Sequence, residues 1–208
     1  SARQFIGQRP LLIGPITLRQ ALPGQKSAPG ALPPDVDVRQ PASFAAAWTL
    51  GSIKYLSDEG VHSATYYETV GWKGVMDLDE AALRPKGFPS APGQVFPVYH
   101  LLRAIGEFSG GSSRQLDTSD SLSVIGLALK NKSGQTRILV ANMTGRKQPV
   151  VVRGLDSAVQ ISPLFVDPTA QGAATPAESK VVPVSGVAPQ LSLDLPPHAI
   201  LRIDREKK

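Results

Sequence analysis

Glu68 is the residue in this sequence best placed to move a proton, and it lies in a stretch, VHSATYYETVGWKG (61–74), built for a polar, ring-lined site. A carboxylate activates water as a general base or protonates a leaving oxygen as a general acid. Tyr66, Tyr67 and Trp72 bring rings that stack on a sugar face, and the tyrosines add hydroxyl donors. Arg19 brings a planar fork that can hold a substrate carboxylate or orient Glu68 through a bidentate pair. If Val61–Tyr67 is a strand, alternation sets Ala64, Tyr66 and Glu68 on one side and Thr65 and Tyr67 on the other. Each residue also has a plainer role. Glu68 and Arg19 could close strand-end ion pairs, and the rings could pack beneath a loop, which is the role expected for Tyr67.

Other chemistries find less support. His62 falls at a strand start, His100 inside a helical stretch and His198 in a late turn, all read as structural. No spacing of His, Asp and Glu resembles a metal site. No Gly-x-Ser-x-Gly elbow occurs, and Gly110-Gly111 is followed by no phosphate-binding pattern. No cofactor is expected. The absence of cysteine removes disulfides, thiolate ligands and a cysteine nucleophile, and fits a reducing, cytoplasmic setting. The net charge is +5, but Lys and Arg are scattered without a basic stripe or interleaved aromatics, which argues against nucleic acid. No apolar run approaches the roughly 20 residues of a membrane span.

The elements that must position Glu68 follow a strand–helix order. Leu11–Leu18 is an apolar run broken by Gly14-Pro15, and Pro15 cannot donate to a ladder, so a bulge or an end is expected there. A long loop, Ala21–Gln40, follows. SFAAAWTLGSIKYLS (43–57) has Ala45, Trp48, Ile53 and Leu56 at helical spacing, and Gly60 is a natural stop. The segment Val61–Tyr67, rich in β-branched and aromatic types, reads as a buried strand. Glu68–Gly93 reads as a second long loop, and FPVYHLLRAIGEF (96–108) as another helix. Helix, strand, polar loop, helix is the pattern of an α/β barrel, whose chemistry sits on loops after the strands' C-terminal ends.

After SGGSS (109–113) the composition changes. Leu122–Leu129, Thr136–Ala141, Pro149–Arg153, Val159–Val166, Lys180–Val184, Gln190–Leu195 and Ala199–Ile203 are short apolar or alternating runs separated by turn residues. With no helix among them, they predict an antiparallel β-sandwich. The expected division is 1–111 for the barrel part and 112–208 for the sandwich. Residues 1–108 supply about two strands and two helices, too few to close an eight-stranded barrel. The chain is therefore read as α/β plus all-β: the last strand–helix units of a (β/α)8 (TIM) barrel followed by a sandwich, the C-terminal portion of a longer protein.

Several segments resemble the bacterial D-apionate lactonase family: QFIGQRPLLIGPITLR (4–19), FAAAWTLGSIKYLSDEGVHSATYYETVGWKGVM (44–76), FPVYHLLRAIGEF (96–108) and LPPHAILRID (195–204). The resemblance implies a glycoside-hydrolase-like barrel, a C-terminal sandwich and opening of the lactone of a branched sugar acid. The expected function is hydrolysis of a sugar-acid lactone, with Glu68 catalytic and Tyr66, Trp72 and Arg19 binding substrate. Cleavage of a glycosidic bond is the alternative within enzymes, and a non-catalytic scaffold the alternative outside them. The expected partners are a small sugar or sugar lactone and the N-terminal remainder of the same barrel. Alone, the chain is expected to be catalytically silent. The sandwich, whose one aromatic among 112–208 is Phe165, is expected to pack on the barrel without touching substrate.

Overall fold

The computed structural model describes residues 2–29, 31–79, 87–155, 158–165, 180–182 and 190–205. A short helix α1 (Ala2–Ile6) leads into β1 (Leu12–Ile16), which pairs in parallel with β2 (Ser63–Tyr66). Leu12 lies opposite Ser63, Ile13 opposite Ala64 and Ile16 opposite Tyr66, so β1 carries one extra residue over this span. The extra residue falls at Gly14-Pro15, a cis pair, where the missing proline N–H breaks the ladder as the sequence predicts.

The crossover between the two strands is α2 (Ser43–Asp58). Ala45, Ala46, Ala47, Leu50 and Gly51 are buried on it, so the first half of the helix is covered on most sides. At Gly51 a Cβ would sit 3.3 Å from Met143 Cε, so the absence of a side chain lets α2 lie close against the following domain. Lys54 buries its stem and pairs its ammonium with Asp58 one turn on. Gly60, at φ +64°, ends the helical run as predicted. The helix α3 (Pro97–Gly106) begins with Pro97 in its first turn, where its missing N–H costs nothing, and buries Val98, Leu101 and Ala104.

Two expectations are corrected here. The strand read over Val61–Tyr67 is regular only over Ser63–Tyr66, because Tyr67 takes a left-handed φ of +53° and turns the chain. Nor is it buried: Ser63, Ala64 and Thr65 are exposed, since β2 has β1 along one edge and meets α2 at its last residue, Tyr66. Glu68–Gly93, read as a loop, contains β3 (Glu68–Val70) and β4 (Gly74–Met76), a parallel pair around a tight turn; residues 80–86 lie outside the described ones.

The second half is an antiparallel sandwich, as the spacing of its apolar runs predicts. Strands β5 (Ser112–Arg114), β6 (Val124–Lys130), β7 (Thr136–Asn142), β8 (Gln148–Arg153), β9 (Val159–Pro163), β10 (Lys180–Val182), β11 (Gln190–Leu195) and β12 (Ile200–Arg205) follow in chain order. One sheet has the order β10-β9-β12-β7-β6-β5, and β11-β8 forms the other. β5 starts at the end of the glycine-rich SGGSS stretch, where the composition changes, and pairs with β6. The predicted runs reaching Val166 and Val184 extend beyond the described residues.

Val140, Val152, Val159, Leu191, Leu195 and Ile203 fill the space between the two sheets. A separate and larger core joins the two halves: Leu50 of α2, Phe96, Leu101 of α3 and Tyr67 pack in one cluster with Ile125, Leu127, Leu139 and Ile200 of the sandwich. Full burial of one such aliphatic side chain is worth roughly 1.5–3 kcal/mol, so this seam is a principal source of stability. It is closed by Arg137 of β7, which donates to Asp204, to Glu107 and to the Ala104 carbonyl at the end of α3, and stacks 4.6 Å from the Phe108 ring centre. Asn142, fully buried, donates to the Leu195, Pro196 and Arg146 carbonyls and ties two sandwich turns together.

Candidate functional site

β2 ends at Tyr66, and the two tyrosines that follow each other there are both pinned to α2. The Tyr66 hydroxyl lies 2.7 Å from Ser52 Oγ, and the Tyr67 hydroxyl lies 2.7 Å from Thr49 Oγ1. Burial pushes both phenols up, Tyr67 to about 12. The positive φ at Tyr67 therefore undoes the simple alternation: Glu68 does not continue the Tyr66 side of β2 but starts β3 on a new course.

β3 and β4 flank a turn closed by Gly71 N–H to Met76 O and Gly74 N–H to Gly71 O, both 2.8 Å. Gly71 has φ +102°, and a Cβ at Gly74 would lie 2.8 Å from the Val70 carbonyl carbon, so both positions require glycine. The turn projects Trp72, half-buried against the core, and Lys73. A recess of about 340 Å³ opens beside it, lined by Asp35, Glu68, Val70, Trp72, Lys73 and Leu78 among others.

Within the recess Lys73 Nζ lies 2.9 Å from Glu68 Oε1 and 2.9 Å from Asp35 Oδ2. The Glu68 side chain is 54% exposed, enough to meet a solute, and the other two are about half as open. The hydrogen bond to Asp35, followed by that to Glu68, raises Lys73 above the usual lysine range. The same Lys73 contact holds the Asp35 carboxyl below its ordinary value. Asp35 comes from the long β1–α2 loop, which is fastened to the turn by Gln40 Nε2 donating to the Gly74 carbonyl at 2.8 Å, a buried contact.

Among the residues singled out in the sequence, Glu68 and Trp72 meet at this recess. Tyr66 and Arg19 do not line it. Arg19 is exposed after β1 and lies near Asp37, whose carboxyl is lowered chiefly by Arg39 and slightly by Arg19. The ion pair foreseen for Glu68 exists, with a lysine as its cation. Lys73 and Asp35 were missed; the signal was a lysine between two turn glycines, and an acid emerging from Pro33-Pro34 in an otherwise featureless loop.

The histidines lie away from this recess. His62 is exposed, and His100 is half-buried against Tyr99, with burial lowering its pKa. His198 takes φ +53° and meets the Phe44 ring edge-on at 5.5 Å between centres. Burial lowers it too, and its Nδ1 has no hydrogen-bond partner. Among the described residues no group of three or more His, Cys, Asp or Glu could hold a metal, and no helix is long and apolar enough to cross a membrane. A roomier recess of about 410 Å³ lies in the sandwich, between β8 and the β6–β7 face. No aromatic ring lines it, which makes it a poor sugar platform.

Comparison with known proteins agrees with this layout. Residues 1–110 match the TIM barrel domain of D-apionate lactonase, and residues 122–203 match its C-terminal immunoglobulin-like domain. A search of curated protein sequences finds no match. Among solved structures, the chain resembles a glycoside hydrolase family 51 arabinofuranosidase from Xanthomonas axonopodis pv. citri, at 20% identity and TM-score 0.56, over 85% of this chain and 38% of that one. It also resembles a glycoside hydrolase family 30 endoxylanase from Clostridium papyrosolvens (12%, 0.53, 79% and 38%). A third is a bifunctional glucanase-xylanase from a metagenome library (16%, 0.51, 79% and 28%). These likenesses concern the fold, and the chain spans 28–38% of the length of those structures. The fold is thus the end of a glycosidase-like TIM barrel followed by an immunoglobulin-like antiparallel sandwich, and the chain belongs to the D-apionate lactonase family.

Proposed function

We propose that the whole protein hydrolyses a sugar-acid lactone, with Glu68 as general base. The observation that carries this is an open carboxylate at the start of β3, two residues past the end of β2, beside Trp72 in a recess and held by a protonated lysine. Glu68 would take a proton from water as the water oxygen adds to the lactone carbonyl. The resulting tetrahedral intermediate then expels the ring oxygen, the C–O bond breaks, and the proton returns to the departing alkoxide. The product is the open hydroxy acid. Trp72 would stack against the sugar carbons. Arg19 and Tyr66 retain a substrate role here only if residues outside this chain extend the site toward them.

Glycosidic cleavage is the rival reaction. It needs one carboxyl protonated as acid beside a second carboxylate. Lys73 holds the Asp35 carboxyl low, so Asp35 is not that protonated partner. The lactone reading is favoured by the family to which the chain belongs. The sandwich is assigned a scaffold role, with a cytoplasmic setting and no nucleic-acid or membrane partner. The parallel pair β1–β2, with its exposed Ser63, Ala64 and Thr65, is assigned to contact the remainder of the barrel, because parallel strands are ordinarily covered on both faces.

The test is hydrolysis of a panel of sugar lactones and aryl glycosides by the full-length protein, with and without Glu68→Gln. Lactone turnover that drops by roughly a hundredfold or more in the variant supports the reaction and the residue. Turnover that survives returns Glu68 to a structural role, and turnover of glycosides alone promotes the rival.

A further inference from the structure

We infer that Lys73 is a positioning residue for Glu68 and that Asp35 in turn fixes Lys73. The inference rests on the reading of Glu68 given above.

A lysine side chain has four flexible carbons, and one exposed ion pair at a strand end orders it weakly. Here the ammonium is caught from two sides, 2.9 Å from Asp35 Oδ2 and 2.9 Å from Glu68 Oε1. Both ends of that bridge stand on backbone that cannot drift freely. Lys73 sits in the Gly71–Gly74 turn, where a Cβ on Gly74 would strike Val70. Asp35 precedes Val36, which is 1% exposed, and its loop is stitched to the same turn by Gln40 on the Gly74 carbonyl. Two loops that follow two different barrel strands thus converge on one ammonium, and Glu68 is the group that ammonium aims. A carboxylate that swings freely meets its water in many orientations, whereas a tethered one meets it in few, which is an effect on the rate of the bound complex.

The experiment measures kcat and KM separately for lactone hydrolysis by the full-length protein, with a thermal melt of each variant. Lys73→Gln is expected to lower kcat by about 10- to 100-fold with KM within about twofold, the scale of a small misplacement of a catalytic group. Lys73→Arg is expected to recover most of the rate, because its guanidinium reaches both carboxylates. Asp35→Asn alters charge without altering shape, and it is expected to lower kcat by about 5- to 10-fold while adding little in the Lys73→Gln background, since both act on one chain of contacts. An unchanged kcat in Lys73→Gln, with activity still abolished by Glu68→Gln, overturns this inference and leaves the catalytic reading standing. Activity that survives Glu68→Gln overturns both. Losses for Asp35→Asn and Lys73→Gln that multiply in the double variant overturn the role of Asp35. If Lys73→Gln melts early, Asp35→Asn carries the same kcat test alone.

Discussion

The Tyr67 hydroxyl lies 2.7 Å from Thr49 Oγ1, a contact between the residue that bends the chain out of β2 and the middle of α2. Thr49 in turn donates to the Ala45 carbonyl at 2.6 Å, and neither side chain is open to water. The left-handed Tyr67 is held down by this bond as well as by burial of its ring.

Tyr67→Phe removes one buried hydroxyl and leaves Thr49 its bond to Ala45, so the expected loss is about 1 kcal/mol in urea unfolding. The pH dependence is more telling. Burial raises the Tyr67 phenol in the folded state to about 12, above the roughly 10 of an unfolded chain. The stabilisation is complete below about pH 10 and fades as pH rises toward 12, because the unfolded state there releases a proton that the folded state retains. The alkaline decline should be shallower in Tyr67→Phe. It should not vanish, since Tyr66 is raised in the same direction.

Arg137→Ala should loosen the seam between the two halves and destabilise the protein. It leaves Asp204, Glu107 and the Ala104 carbonyl without their shared donor at a site where Arg137 is only 5% exposed. Asp204 keeps Arg202 at 2.7 Å and Glu107 keeps Arg103 at 3.7 Å, so no bare buried charge remains, and the expected loss is about 1–3 kcal/mol from the broken hydrogen bonds. Chemical denaturation measures it, and Arg137→Lys should recover only part, because an ammonium cannot span both acids in one plane.

Leu139→Ala empties a fully buried position of the core shared by both halves, with an expected cost of about 2–5 kcal/mol. Trp48 lies on α2 and Trp72 in the β3–β4 turn, so tryptophan fluorescence reports the barrel part, while amide hydrogen exchange along β6 and β7 reports the sandwich. In both wild type and variant the two signals should change at the same denaturant concentration, the mark of one cooperative unit. Separate midpoints would show the halves unfolding independently.

Gly74→Ala should distort the turn that carries Lys73, because the new methyl would meet Val70 backbone atoms at 2.8 and 2.9 Å. Relief requires the turn to shift, at roughly 1–3 kcal/mol. Lactone turnover by the full-length variant should fall by more than that stability loss explains, which a rate assay well below its melting temperature separates.

The architecture was readable because it rests on local patterns: the α2 spacing ended by Gly60, the Gly14-Pro15 interruption of β1, and the alternating sandwich runs that coincide with β6, β7, β8 and β11 within a few residues. The candidate site was only half readable. Glu68 stood out because a carboxylate after a strand end has a recognised use. Its partners are set by long-range closure: Lys73 depends on a turn whose strands β3 and β4 are three residues each, and Asp35 arrives from 33 residues earlier in the chain. The period-2 rule failed at Tyr67 because one left-handed residue rotates everything after it, and no hydrophobic pattern announces such a residue when it is not glycine.

The core that joins Leu50 and Leu101 to Ile125, Leu127 and Leu139 also bears on how this protein can be divided or recombined. A sandwich excised at Ser112 would carry a bare apolar wall where α2 had lain, and would be prone to self-association. Grafted onto another barrel, it would need a helix with a small residue at the place of Gly51 and a carboxylate at the place of Glu107. The two family domains thus share one packed core, and the shape of each face of the seam constrains the other.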